Sequence, residues 1–198
     1  MLGSKPMKRL SLYLFLILFT LQNPSWADDI RDFQIEGMSI GDSLLDYMTK
    51  KEIKIAEQNS FLYENKKFLI IFAPSKSKVY DEIQITYKPE DKKYLIHAID
   101  GVLNFPNNIK ACREQMKEIV KEIEVLFVDI NKSEGNYPHQ YDKSGKSMTH
   151  GIKFTPKSGG VIDVYCTDWS DVLTKKNLWK DGLKVFVGSA ELIKNIYK

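Results

Sequence analysis

Charge of one sign, long apolar runs, cysteine and histidine are all scarce in this chain, and each scarcity excludes something. Among 198 residues, 29 Lys and Arg stand against 26 Asp and Glu. Residues 1–27 hold Lys5, Lys8 and Arg9 and no acid, so the remaining 171 residues carry 26 of each sign. A balanced chain lacks the clustered basic excess that nucleic-acid backbones and anionic lipid surfaces attract, so no nucleic-acid partner is expected. Leu10–Leu21 is an apolar run of 12 residues, short of the roughly 20 that cross a bilayer as a helix. No other stretch approaches that length, and a soluble mature chain with no stable membrane span is expected. The two cysteines, Cys112 and Cys166, have no C-x-x-C spacing to depress a thiol pKa, which argues against a catalytic redox pair. With 43% hydrophobic residues the chain is nonetheless too apolar to stay disordered.

The N-terminus has the layout of an export signal. Lys8-Arg9 precede the apolar run, and Ser25 and Ala27 are small residues three and one positions before the acidic pair Asp28-Asp29. That pattern predicts a signal peptide over 1–27, cleaved between Ala27 and Asp28, and a periplasmic or secreted product. No cysteine lies near the cut, so no lipid anchor is expected.

In the remaining chain, Asp42 or Ser43 can cap a short helix over Leu44–Met48, and 50–59 is ambiguous between helix and coil. Three β-rich segments follow, Phe68–Ala73, Glu82–Lys88 and Tyr94–Leu103, joined by short polar links that favour an antiparallel meander. Asn107-Asn108 open the strongest helix, in which Ile109, Cys112, Met116, Ile119, Ile123 and Leu126 recur at spacings of three and four. Its other sides carry mixed charge and read as a solvated face. Ile130–Met148 is polar and without periodicity, and reads as a long loop. Gly151–Thr155, Val161–Thr167 and Leu183–Val187 are three further strands, and Ser189 caps a final helix over Ala190–Tyr197. The fold class is α+β: a helix and a three-stranded antiparallel meander, a long helix, three further antiparallel strands and a C-terminal helix, with the helices packed on the sheet. Residues 28–198 form a single domain in this reading, which leaves open two αβββ halves meeting near residue 106.

Cys112 lies on the apolar stripe of the long helix, and Cys166 shares a strand face with Ile162 and Val164. Both face the core, export removes the objection to oxidation, and two cysteines allow one intramolecular pairing. A Cys112–Cys166 disulfide is predicted.

Several motifs suggest chemistry. Gly41-Asp42-Ser43-Leu44 spells the GDSL block of secreted esterases, with Ser43 as nucleophile. The Asp-x-x-His element that supplies that family's base is absent, because Tyr94, Asn136 and Ser147 stand three residues before His97, His139 and His150. A hydrolytic serine needs such a base and a carboxylate to orient it, so no catalytic residue is assigned. Ser144-Gly145-Lys146-Ser147 contains the end of a phosphate-binding loop, but Gln140 stands where its first glycine belongs and no helix pattern follows. His139, His150, Asp129, Glu134 and Asp142 gather in or beside 130–150 without the tight spacing of a zinc or calcium site, and no metal and no cofactor is assigned. His97 reads as a partly buried strand histidine. Trp169 and Trp179, with Tyr137 and Tyr141, fall outside clear core positions, and with His139 and His150 they are the candidate binding residues.

Taken together, Ile35–Leu44, Tyr94–Gly101, Asn107–Lys110 with Cys112, Asp142–Ser147 and Cys166–Ser170 resemble an uncharacterised family of small secreted proteins from marine alphaproteobacteria. That resemblance implies an envelope domain and carries no activity. A looser likeness, through Gly37-Met38-Ser39, is to small outer-membrane-assembly lipoproteins and β-lactamase-inhibitor-like modules, in which such a turn leads into a helix and an antiparallel sheet. The leading expectation is a non-enzymatic binding or interaction module with an envelope protein partner. The alternatives are a protein that binds a small ligand or metal through the 130–150 loop and a GDSL-like esterase.

Overall fold

The computed structural model describes residues 29–127, 130–177 and 179–196. The expected leader, its cleavage point, Asp129 and Tyr197 lie outside the described residues. Among those described, eight strands form one antiparallel sheet: β1 (Phe61–Leu62), β2 (Leu69–Ala73), β3 (Glu82–Tyr87), β4 (Ile96–Asn104), β5 (Asn131–Pro138), β6 (Met148–Thr155), β7 (Val161–Asp168) and β8 (Gly182–Gly188). Their order across the sheet is β1-β2-β3-β4-β8-β7-β6-β5. Four helices, α1 (Lys50–Ala56), α2 (Ile109–Leu126), α3 (Asp171–Asn177) and α4 (Ala190–Ile196), complete the α+β architecture expected from the sequence.

The helices start where side chains can satisfy their free N–H groups. Thr49 Oγ1 accepts the Glu52 N–H while Glu52 Oε2 accepts that of Thr49, a reciprocal cap that starts α1, and a 3-10 turn over Glu57–Asn59 completes the ambiguous 50–59 segment. Asn108 Oδ1 accepts the Ala111 N–H at the start of α2. Ser189 Oγ accepts the Leu192 N–H at the start of α4.

Side chains at paired positions share a sheet face, and the register lines up Ile71, Ile85, Ile99, Val187, Ile162 and Phe154 as an apolar row across six strands. All six are buried in the core. Against this face packs α2, burying Cys112, Met116, Ile119, Val120 and Ile123. Cys112 and Cys166 form the predicted disulfide, with Cα atoms 6.1 Å apart, which pins α2 to β7. The opposite face is covered only in part, where Leu192 of α4 packs with Phe68 and Ala98.

The structure corrects the long loop expected over 130–148. Residues 131–138 are strand β5, paired with β6 from Asn131↔Thr155 to Pro138↔Met148. β5 is an edge strand exposed on almost its whole length, so it is held by its ladder rather than by burial and has no reason to alternate apolar with polar residues. Lys132 and the terminal Pro138 suit such an edge. β1 and α3 are the other elements beyond those expected.

Candidate functional site

Shortening the loop to 139–147 concentrates its chemistry. Asp142 Oδ1 accepts the N–H and hydroxyl of Ser144 at 2.9 and 2.6 Å, and Oδ2 accepts those of Ser147 at 2.9 and 2.6 Å. Hydrogen bonds from the side chains of Ser144 and Ser147 hold the Asp142 carboxyl well below the usual carboxylate range. The Gly-Lys-Ser segment is therefore wrapped around an internal carboxylate, which takes the donors a phosphate would need and repels one electrostatically. Ser147 also accepts, through Oγ, the Ser170 N–H at 2.9 Å, and its carbonyl accepts the His139 N–H at 2.8 Å. These bonds bring the loop against the segment that follows β7.

Four of the six candidate binding residues meet there. His139 packs on Trp169 with ring centroids 4.3 Å apart, Trp169 on Trp179 at 4.5 Å, and Tyr141 reaches both His139 at 5.4 Å and Trp179 at 6.4 Å. The rings close a circuit, tilted by 40° to 53° to one another. Tyr141 is 68% exposed, and His139, Trp169 and Trp179 are half-buried. Burial, followed by the charge of Lys184, lowers the His139 pKa. Its Nδ1 accepts the Tyr141 N–H, so at neutral pH the ring is uncharged and carries its proton on Nε2.

Beside the two tryptophans lies a cavity of about 220 Å³, at the end of the sheet where β4 and β7 finish and β8 begins. Pro106 and Asn107 wall it from the α2 side, Thr174 from α3, and Asp168, Asp171, Lys180 and Asp181 supply its charge. Asp181 is buried, and it ties the wall together: Oδ1 accepts the Trp169 N–H at 2.8 Å and its carbonyl accepts the Phe105 N–H at 2.7 Å. Burial, then the neighbouring Asp181 charge, raises the pKa of Asp168, with Arg113 opposing.

The other two candidates lie elsewhere. Tyr137 pairs with Thr149 and projects from the opposite sheet face to His150, which pairs across β5 with Asn136 and approaches Glu134 at 3.2 Å. Ser43 is used structurally: its hydroxyl donates to the Lys93 carbonyl at 2.8 Å and accepts the Leu45 N–H. Asp42 accepts the Ser39 N–H and the Tyr47 hydroxyl. His97, buried against the edge of Phe68, lies 3.3 Å from Ser189. Among the described residues no hydrogen bond joins Ser43 to a histidine, and no group of three or more His, Cys, Asp or Glu side chains could hold a metal ion.

A half-buried charge network, whose buried members are Asp100 and Asp163, escaped sequence reasoning. On the sheet face away from α2, Lys184 Nζ lies 3.4 Å from Asp100 Oδ1 and donates to Gln84 at 3.0 Å, and Gln84 donates to Glu82. Burial alone would lower the Lys184 pKa, but the Asp100 carboxylate overrides it and keeps the ammonium charged. Asp163 on β7 is buried with Lys153 Nζ 3.9 Å away, and burial pushes its carboxyl up to about 6. In each strand these groups alternate with apolar residues, a pattern that also describes a solvent-facing row. The cue that could have distinguished them is Gly151, where a Cβ would sit 3.0 Å from Tyr165 Cβ and 3.4 Å from Asp163 Oδ1.

Comparison of the chain with protein-family models, with curated proteins and with solved structures gives no match in any of the three.

Proposed function

We propose that this chain is an exported, non-enzymatic binding module whose ligand surface is the circuit of His139, Tyr141, Trp169 and Trp179 with the adjoining cavity. The observation that carries the reading is that the four rings pack on one another and that two of them, Trp169 and Trp179, line a cavity large enough for a small organic group. The motif residues that suggested esterase or nucleotide chemistry are engaged in caps and turns. Export through a signal peptide over 1–27, and a periplasmic or secreted location, are supported by the Cys112–Cys166 bond, since such bonds persist mainly in oxidising compartments. Among the described residues no helix is long and apolar enough to cross a membrane.

The test is a fluorescence and calorimetric screen of the purified protein against small cations, saccharides and short peptides, with N-terminal sequencing. A start at Asp28 and a saturable response lost in Trp179→Ala are expected. Ester hydrolysis abolished by Ser43→Ala would replace this reading with an enzymatic one.

A second reading, docking of an envelope protein, is favoured by a separate feature. Ile55, Phe61 and Leu62 are exposed near the β1 edge, with Phe61 packed edge-on against Phe72. Crosslinking in intact cells, followed by mass spectrometry, should trap a partner on this edge; monomer alone would remove it.

A further inference from the structure

The charge around the cavity narrows the ligand. Three carboxylates line it, Asp168, Asp171 and Asp181, against the single ammonium of Lys180. Among the described residues none of the three takes part in a salt bridge. Asp181 has one oxygen committed to the Trp169 N–H, and its charge acts unfavourably on Asp168. The lining thus carries net negative charge beside Trp169 and Trp179, tempered at Asp168 by the nearby Arg113.

Both features favour a positive charge with apolar substituents. Indole faces attract cations through the ring quadrupole, and they also bury methyl groups. A neutral saccharide would stack on the rings but would leave the repulsion between Asp168 and Asp181 in place. A bare metal ion would gain little from the indoles. At roughly 30 Å³ per water, the cavity of about 220 Å³ has room for a quaternary ammonium group with a short tail.

We infer that the cavity between Trp169, Trp179 and the carboxylates of Asp168, Asp171 and Asp181 binds an alkylammonium cation, an inference that rests on the binding-module reading above. The carboxylates supply the charge and the indoles the methyl contacts, so selectivity should lie in the charge of the head group.

The experiment is a titration of the exported protein, whose expected start at Asp28 leaves Trp26 behind, with choline and with 3,3-dimethylbutan-1-ol, its uncharged carbon isostere. The chain has three tryptophans, so emission then comes from Trp169 and Trp179 alone. Choline should give a saturable change and bind at least about tenfold tighter than the isostere, a difference of about 1.4 kcal/mol. Asp168→Asn, and separately the exposed Asp171→Asn, should weaken choline several-fold and leave the isostere unaffected, with circular dichroism confirming the fold. Equal binding of the two probes, or indifference of choline to both Asn variants, would overturn the inference. So would a response to N-acetylglucosamine oligomers without one to choline, though the binding site itself would stand. Folded protein that responds to none of the probes would end both the cation inference and the binding reading.

Discussion

One carboxylate oxygen of Asp142 receives both the N–H and the hydroxyl of Ser147, at 2.9 and 2.6 Å. Through this bond and its own contact with the Ser170 N–H, the Ser147 hydroxyl holds the 139–147 loop to the segment carrying Trp169. Ser147→Ala should cost about 2 kcal/mol, because it leaves buried groups short of partners, and should red-shift the tryptophan emission as the rings separate. Urea unfolding with fluorescence detection reads both. The Asp142 carboxyl is depressed in the folded chain, so its contribution is fully present above the ordinary carboxylate pKa of about 4 and is lost as pH falls below that value. Acid titration of wild type against Asp142→Asn should show that loss in the wild type alone.

The Asp100–Lys184 pair gives a different signature. Lys184→Met leaves the Asp100 carboxylate buried without its cation, and should destabilise the protein by about 3–5 kcal/mol. Adding Asp100→Leu should recover most of that loss, because the cost lies in the orphaned charge. A double-mutant cycle in denaturant measures the coupling. Equal destabilisation by the single and double variants would show that the volume of the lysine stem matters instead.

Asp163 acts with the opposite sign to Asp142. Its pKa of about 6 in the fold lies above the unfolded value, so the folded state holds the extra proton and stability falls as pH rises from about 4 through 6. Raising the carboxyl from about 4 to about 6 corresponds to about 3 kcal/mol. Asp163→Asn should flatten this part of the pH profile in thermal or urea unfolding and be more stable than wild type at pH 7.5. An unchanged profile would mean that the carboxylate is solvated in the native state.

The disulfide closes a sequence separation of 54 residues. In the chain-entropy picture such a loop is worth about 4 kcal/mol. Cys112→Ala with Cys166→Ala should lower the unfolding free energy by up to that amount, and reductant should do the same to wild type. Intact mass under non-reducing conditions should show both thiols consumed.

The parts of this fold that the sequence revealed are those in which burial imposes a period. The α2 stripe from Cys112 to Ile123 and the inward row of β7, Ile162, Val164 and Cys166, are legible because each position faces the same core. β5 was illegible because an edge strand exposed on both faces has no such constraint. The four rings were recognisable as surplus aromatics, but their meeting depends on Asp142, Ser147 and Asp181 fastening two separate loops, a tertiary relation with no sequence period. Tyr137 and His150 look the same in sequence as Tyr141 and His139. Only the pleat of β5 and β6 sends them away from the cluster.

The strand order gives β8 a particular place in the life of the chain. Every other pairing joins strands consecutive in sequence, whereas β8 enters last and lies between β4 and β7, bonding Ala98 to Gly188 on one side and Val161 to Gly188 on the other. A nascent chain lacking β8 would hold two hairpin stacks with two bare edges facing one another, open to any extended peptide nearby. Closure must wait for β8, which makes it the keystone of the sheet and the strand whose amides should exchange with solvent only when the whole molecule opens.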